Sequence, residues 1–183
     1  MSDTLFRFLE TRVPVAEESE VWNNGRLPLQ VTAYLDVVLP PLDYITSVRA
    51  LVFHGENLLT VTDAKQTMIM PGGRRETGET LAQTLTRELL EETGWTLQEF
   101  HLLGFKHFHH LSPKPEGYRY PHPDFLQVVY IGQAGKFVAE SLASEYKEHG
   151  FLPIADALTL PLSPIERCYL EHALPHRTGY LRP

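Results

Sequence analysis

Glu88, Glu91 and Glu92 are the side chains of this chain best placed to do chemistry together. On a helix turning about 100° per residue, positions i, i+3 and i+4 share one face, so the three carboxylates gather there. Like charges at that spacing repel, and the C-terminal half of a helix, where they fall, disfavours anions further. Helix stability alone does not call for such a cluster. A bound divalent cation turns the repulsion into coordination. Carboxylate oxygens are hard donors, which favours Mg²⁺ or Mn²⁺ over zinc, an ion usually held by His or Cys. Leu81 and Leu85 share nearly the same azimuth as Glu88 and Glu92. The carboxylates therefore continue a line of buried leucines to the rim of the core, where hydration is incomplete and partners are required.

The surrounding residues predict the helix that carries them. Thr80 is an N-cap type, Leu81 to Glu92 has strong helix formers at most positions, and Gly94 supplies a left-handed C-cap. Pro71-Gly72-Gly73 interrupts a short strand-like stretch, Gln66 to Met70, because proline cannot join a ladder and glycine permits positive φ. The expected arrangement is strand, glycine loop, helix, with the carboxylates near the helix end.

Residues 73 to 95 complete the pattern G-x5-E-x7-R-E-U-x-E-E-x-G-U, with U apolar. At roughly 6% usage per residue type, chance produces it on the order of once in ten million chains of this length. In this window the chain resembles the Nudix hydrolases. The resemblance covers roughly residues 45 to 175 and implies that family's α/β/α sandwich with a mixed central sheet. It also implies metal-dependent cleavage of a P–O–P bridge in a nucleoside diphosphate derivative, by water attack on phosphorus. Such a reaction requires charge neutralised on the non-bridging oxygens and an oriented nucleophile, both within the reach of metal ions.

By the family pattern, Glu88, Glu91 and Glu92 ligate Mg²⁺ or Mn²⁺, and the carbonyl of Gly73 completes the shell. Arg87 orients Glu88, and Glu79 partners Arg87. The general base is either Glu88 or an acid from a later loop, for which Glu145 and Glu148 hold the matching place. Two departures concern packing: Trp95 stands where the family prefers an aliphatic residue, and Ile69-Met70 precede Pro71 where many relatives carry an aromatic one. Further signatures of coenzyme A, NADH and ADP-ribose specificity are incomplete here, so the resemblance leaves the substrate open. Two other functions compete: a nucleotide-sensing module of the same fold without turnover, and an isopentenyl diphosphate isomerase. The first should have lost a carboxylate, and none is lost. The second should carry a reactive cysteine near the site, and Cys168 falls in the last helix.

Composition sets outer limits. The chain has 183 residues, 43% apolar and 21% charged, which suits one globular domain, 1–183, with a core that needs no staples. A net charge of −7 argues against nonspecific binding to nucleic acid or to an anionic membrane. Cys168 is the only cysteine, so no intrachain disulfide forms, and with no signal peptide or membrane span in evidence the expected compartment is the cytoplasm.

Around the acidic helix, alternation predicts strands over 27–37, 47–54, 57–62, 97–109 and 125–131, with 54–56 as a hairpin turn. A short helix is expected over 4–10, and Ser163-Pro164-Ile165-Glu166 opens a last one reaching about Leu174. Residues 1–44 stand outside the 45–175 core as an N-terminal extension whose strand suits an extra sheet member or a homodimer contact. The Pro-rich segment 111–124 is expected to read the substrate, with Tyr118 and Tyr120 stacking on a base and Arg119 meeting a terminal phosphate or carboxylate. His107 and His109 project the same way from a strand, the direction zinc would need. No third ligand is evident, so they read as polar strand-end residues.

Overall fold

Long apolar runs in the middle of the chain and alternating runs at its start mark strands that differ in how much they bury. The computed structural model describes residues 3–23, 25–62, 66–142 and 148–177. The first half holds α1 (Asp3–Leu9), β1 (Ala16–Trp22), β2 (Leu27–Leu35), β3 (Ile45–His54), β4 (Asn57–Thr62) and β5 (Thr67–Met68). Then come α2 (Leu81–Thr93), β6 (Trp95–His110), β7 (Asp124–Phe137), β8 (Glu148–Pro153), α3 (Ile154–Ala157) and α4 (Pro164–Ala173).

The strands form one mixed sheet in the order β1-β2-β6-β7-β3-β4-β5, with β8 also paired to β4. Among the described strands only β3 and β7 run parallel, with β4, β5, α2 and β6 between them in sequence as their crossover. Both are buried on two faces, which explains their nearly continuous apolar sequence. On one face Leu51, Phe53, Phe108, Phe125 and Val129 pack under α4 with Tyr169 and Leu170. On the other, Val52, Phe105, Leu126 and Val128 pack under Leu85 and Leu89 of α2 and Leu5 of α1. Helices therefore cover both sides of the sheet, the α/β/α sandwich expected. Leu85 is fully buried, and its truncation to alanine would cost roughly 2–5 kcal/mol.

The helix ends follow local chemistry. Thr80 and Gln83 make a reciprocal capping box, with Gln83 N donating to Thr80 Oγ1 at 3.2 Å and Thr80 N to Gln83 Oε1 at 2.8 Å. Gly94 closes α2 in the left-handed region, φ 71°, and its N–H donates to Leu90 O. Ser163 and Glu166 repeat the box at α4 behind the N1 proline.

Two strands differ from expectation. Ala16–Trp22, rich in glutamate, forms the sheet edge as β1, where charge is tolerated on the open side. Glu148–Pro153 pairs with β4 as β8 despite its glycine and proline. The strand expected in the N-terminal extension is β2, which lies between β1 and β6 and has no free edge. Among the described residues no helix is long and apolar enough to cross a membrane.

Candidate active site

The glycine loop and α2 meet along β3. Pro71 O accepts from Ala50 N and Gly73 O from Val48 N, each at 3.0 Å, which fixes the loop backbone to the sheet. Gly72 has φ +133°, and a Cβ there would overlap the carbonyl oxygen of Val48. At Gly73 an added Cβ would fall on the carboxylate of Glu88. Gly72 is thus required by its positive φ and its close approach to a strand, while a side chain at Gly73 would push the Glu88 carboxylate aside.

Arg87 is the hub of the acids. Its Nε donates to Glu79 Oε1 at 2.7 Å and its Nη2 to Glu79 Oε2 at 3.1 Å, a two-pronged pair. Nη1 reaches Glu88 Oε1 at 3.0 Å and Glu91 Oε2 at 3.2 Å, and Nη2 also reaches Arg74 O at 3.0 Å. One guanidinium therefore holds three carboxylates and the loop backbone. The hydrogen bonds from Arg87 are the main reason Glu79 is held down to a pKa of about 2, helped by the backbone N–H of Glu76. In return Glu79 raises the already high pKa of Arg87, so the charge at the hub is permanent.

Glu92 sits deepest. It is 6% exposed, and its Oε2 accepts from the backbone N–H of Gly72 at 2.7 Å. Glu88 lies at the rim with its side chain 14% exposed, and Glu91 is the most open of the three at 47%. The gradient follows from helix geometry: at about 100° per residue, Glu92 lies about 20° around the helix from buried Leu85, Glu88 about 60° and Glu91 about 120°.

Beside this cluster is a pocket of about 420 Å³, lined among others by Trp22, Arg49, Arg74, Tyr118, Tyr120 and Gln127. Arg74 links the two regions. Its carbonyl binds Arg87, while its Nη1 donates to Tyr120 Oη at 2.8 Å and its guanidinium carbon lies 4.9 Å from the Tyr120 ring centre. Gln127 is held by Ser47 at 3.0 Å, and the rings of Tyr118 and Tyr120 meet edge-on.

The structure brings Gly73, Arg87, Glu88, Glu91 and Glu92 together and sets Tyr118 and Tyr120 in the adjoining pocket. Arg119 is exposed and is not among the lining side chains. Glu145 lies outside the described residues. Glu148 is exposed at the start of β8 opposite Thr62, and among the described residues no hydrogen bond links it to the acids of α2. Sequence reasoning did not reach Trp22, Arg49, Arg74 or Gln127, which converge only through sheet order. Arg74, inside the glycine-to-helix window, was within reach of local inspection. For His107 and His109 the structure corrects the search for a third polar partner: Asp124 lies 2.8 Å from each.

The fold is an α/β/α sandwich in which an acidic helix stands against a glycine loop. A NUDIX domain model matches residues 43–173, so the chain belongs to the Nudix family. No curated protein matches it in sequence. Among solved structures, it is similar to the Bacillus subtilis pyrophosphohydrolase BsRppH, with TM-score 0.62, 17% identity, and coverage of 90% of this chain and 99% of that one. It is also similar to a NUDIX hydrolase from Nitrosomonas europaea, with TM-score 0.55, 20% identity, and coverage of 75% and 93%. A MutT protein from Bacillus halodurans gives TM-score 0.51 at 20% identity, covering 70% and 80%. At such identities these likenesses speak for the fold.

Proposed function

We propose that the chain hydrolyses the P–O–P bridge of a nucleoside diphosphate derivative with a divalent cation held by Glu88, Glu91 and Glu92. The observation that carries this reading is the Arg87 hub, which gathers carboxylates of the same helix against a loop of two glycines. The donor set suits a hard cation such as Mg²⁺ or Mn²⁺. All its ligands are oxygens, and Gly73 has no side chain where the Glu88 carboxylate comes closest. When bound, such an ion supplies positive charge to the phosphate oxygens and makes water a better nucleophile near neutral pH.

The chain's own residues do the rest. Arg87 neutralises part of the acidic cluster and fixes the rotamers of Glu88 and Glu91. Gly72 N orients Glu92. The carbonyl of Gly73 already accepts from Val48 and has a second lone pair to give. Tyr118 and Tyr120 offer ring faces to a base, and Arg74 and Arg49 bring positive charge to a pocket beside the acids. A carboxylate takes the proton of the attacking water. Glu88, at the rim of the acidic cluster, suits that role, with Glu145 and Glu148 as the alternatives drawn from the sequence pattern.

A screen of nucleoside diphosphate derivatives with Mg²⁺ or Mn²⁺, with both products identified, tests the reading. Two phosphate-bearing products from one substrate are expected. Tight nucleotide binding with no turnover of any compound would make the protein a sensing module instead. Conversion of isopentenyl diphosphate without release of phosphate would make it an isomerase.

A further inference from the structure

Alternation along β6 sends Phe105, His107 and His109 to the α2 side of the sheet, and Lys106, Phe108 and His110 to the other. Asp124 opens β7 opposite His109 and shares the face of Leu126, two residues on. Three groups from two strands thus meet. Asp124 Oδ1 lies 2.8 Å from His107 Nε2 and 2.8 Å from His109 Nδ1, and all three ligand atoms fall within 4.8 Å of one another.

The burial of this cluster is uneven. Asp124 and His107 have side chains only 1% and 9% exposed, while that of His109 is 42% exposed, so the group opens to solvent on one side. A carboxylate oxygen therefore stands between two imidazole nitrogens, with the exposed side of His109 facing solvent.

We propose that His107 Nε2, His109 Nδ1 and Asp124 Oδ1 form a site for a Zn²⁺-class ion, chemically separate from the glutamates of α2. Two imidazoles and one carboxylate suit zinc and its neighbours, just as the all-oxygen cluster suits Mg²⁺. Three protein ligands with one open side leave a coordination position for water. Donors about 2.0–2.1 Å from a tetrahedral ion stand roughly 3.3 Å apart, so each N···O separation has to open by roughly 0.5 Å. A carboxylate only accepts, so a neutral ring at hydrogen-bond distance presents an N–H to Oδ1. On binding, that proton moves to the opposite nitrogen, Nδ1 of His107 and Nε2 of His109, and the freed lone pair takes the ion. No proton is lost and no oxidant is needed. The ion would staple β6 to β7 at the base of residues 111–123, the segment that carries Tyr118 and Tyr120.

The test is zinc uptake by the full chain, measured by equilibrium dialysis with elemental analysis. A Glu91→Gln, Glu92→Gln background removes the acidic site from the count, so the result does not depend on whether the chain is a hydrolase. One equivalent of zinc is expected. His109→Ala and His107→Ala should each weaken its binding by about 100-fold or more, beyond the 10- to 100-fold typical of losing an outer partner. Asp124→Asn should do the same. Because Asp124 is buried and that variant can misfold, the half-exposed His109 is the decisive position, with circular dichroism to establish that the fold is kept. Co²⁺ in place of zinc should give visible absorption without a thiolate band, and lose it in His109→Ala. Absence of saturable zinc uptake would overturn the proposal. So would uptake unaffected by both histidine substitutions, which would place the ion elsewhere, for example between His172 and His176, whose rings lie 6.1 Å apart.

Discussion

Arg87 Nη2 donates to the carbonyl of Arg74 at 3.0 Å, and the side chain of Arg74 in turn reaches Tyr120. Two residues thirteen apart in sequence thereby tie the acidic helix to the aromatic pocket. The consequence is that loosening either arginine should be felt in both regions, though not equally.

Arg87→Ala removes the bonds to Glu79, Glu88, Glu91 and the loop at once. Turnover should fall, but by less than after substitution of a metal-ligating glutamate, because the carboxylates remain. Stability should drop by about 1 kcal/mol, the upper range for a partly exposed ion pair, measured by urea unfolding. A loss of turnover as large as that of Glu88→Gln would mean that Arg87 contacts the substrate directly.

The Glu79–Arg87 pair has a defined pH signature. Its carboxyl is lowered from the ordinary 4.5 to about 2 in the folded chain. A depressed acid stabilises the fold above its unfolded pKa and loses that contribution as pH falls through the folded value. The stability gap between wild type and Glu79→Gln should therefore be constant above about pH 5 and shrink between about pH 4.5 and 2. A gap that instead widened with acid would contradict the pairing.

Gly73→Ala places a methyl group on the Glu88 carboxylate. The expected outcome is a folded protein with turnover reduced by at least about ten-fold and weaker Mg²⁺ dependence. Gly72→Ala should instead lower stability, since it combines a positive φ with overlap at Val48 O. Thermal melts alongside rates separate the two.

Specificity should follow the pocket. Tyr120→Ala removes a ring face and the partner of Arg74, and should raise KM for the preferred nucleotide by roughly ten-fold, as expected from a stacking contact of about 1–3 kcal/mol. Tyr118→Ala should behave similarly, while Arg119→Ala, outside the lining, should change KM by less. A minimal substrate without a base should be turned over equally by all three. Equal losses on both substrates would show that the segment shapes the acidic centre.

Local chemistry made some elements readable in advance. Thr80, Gly94 and the glutamate spacing define α2 and its acidic face, and Ser163 to Glu166 define the start of α4, because caps and helical periods act within a few residues. β1 was not legible, since a segment carrying Glu17, Glu18 and Glu20 looks like a solvated loop until β2 pairs with it. β8 was hidden by Gly150 and Pro153, and its pairing to β4 is set across about ninety residues. The same limit applies to the sites. Glu88, Glu91 and Glu92 are neighbours on one helix and could be read together. Asp124 meets His107 and His109 only through the β6–β7 register, and Trp22 and Tyr120 come to line one pocket only through the order of the sheet, neither of which a local pattern encodes.

The most direct test compares hydrolysis of the best substrate by wild type, Glu91→Gln and Glu92→Gln in Mg²⁺, and by wild type in excess EDTA. Glutamine keeps the volume of each side chain and, at position 92, an oxygen for the N–H of Gly72, while the ligating charge is lost. Each substitution is predicted to lower kcat by two orders of magnitude or more with circular dichroism unchanged, and EDTA to abolish turnover until Mg²⁺ is restored. Wild-type rates in both variants, or full activity in the chelator, would contradict a metal-dependent site on α2.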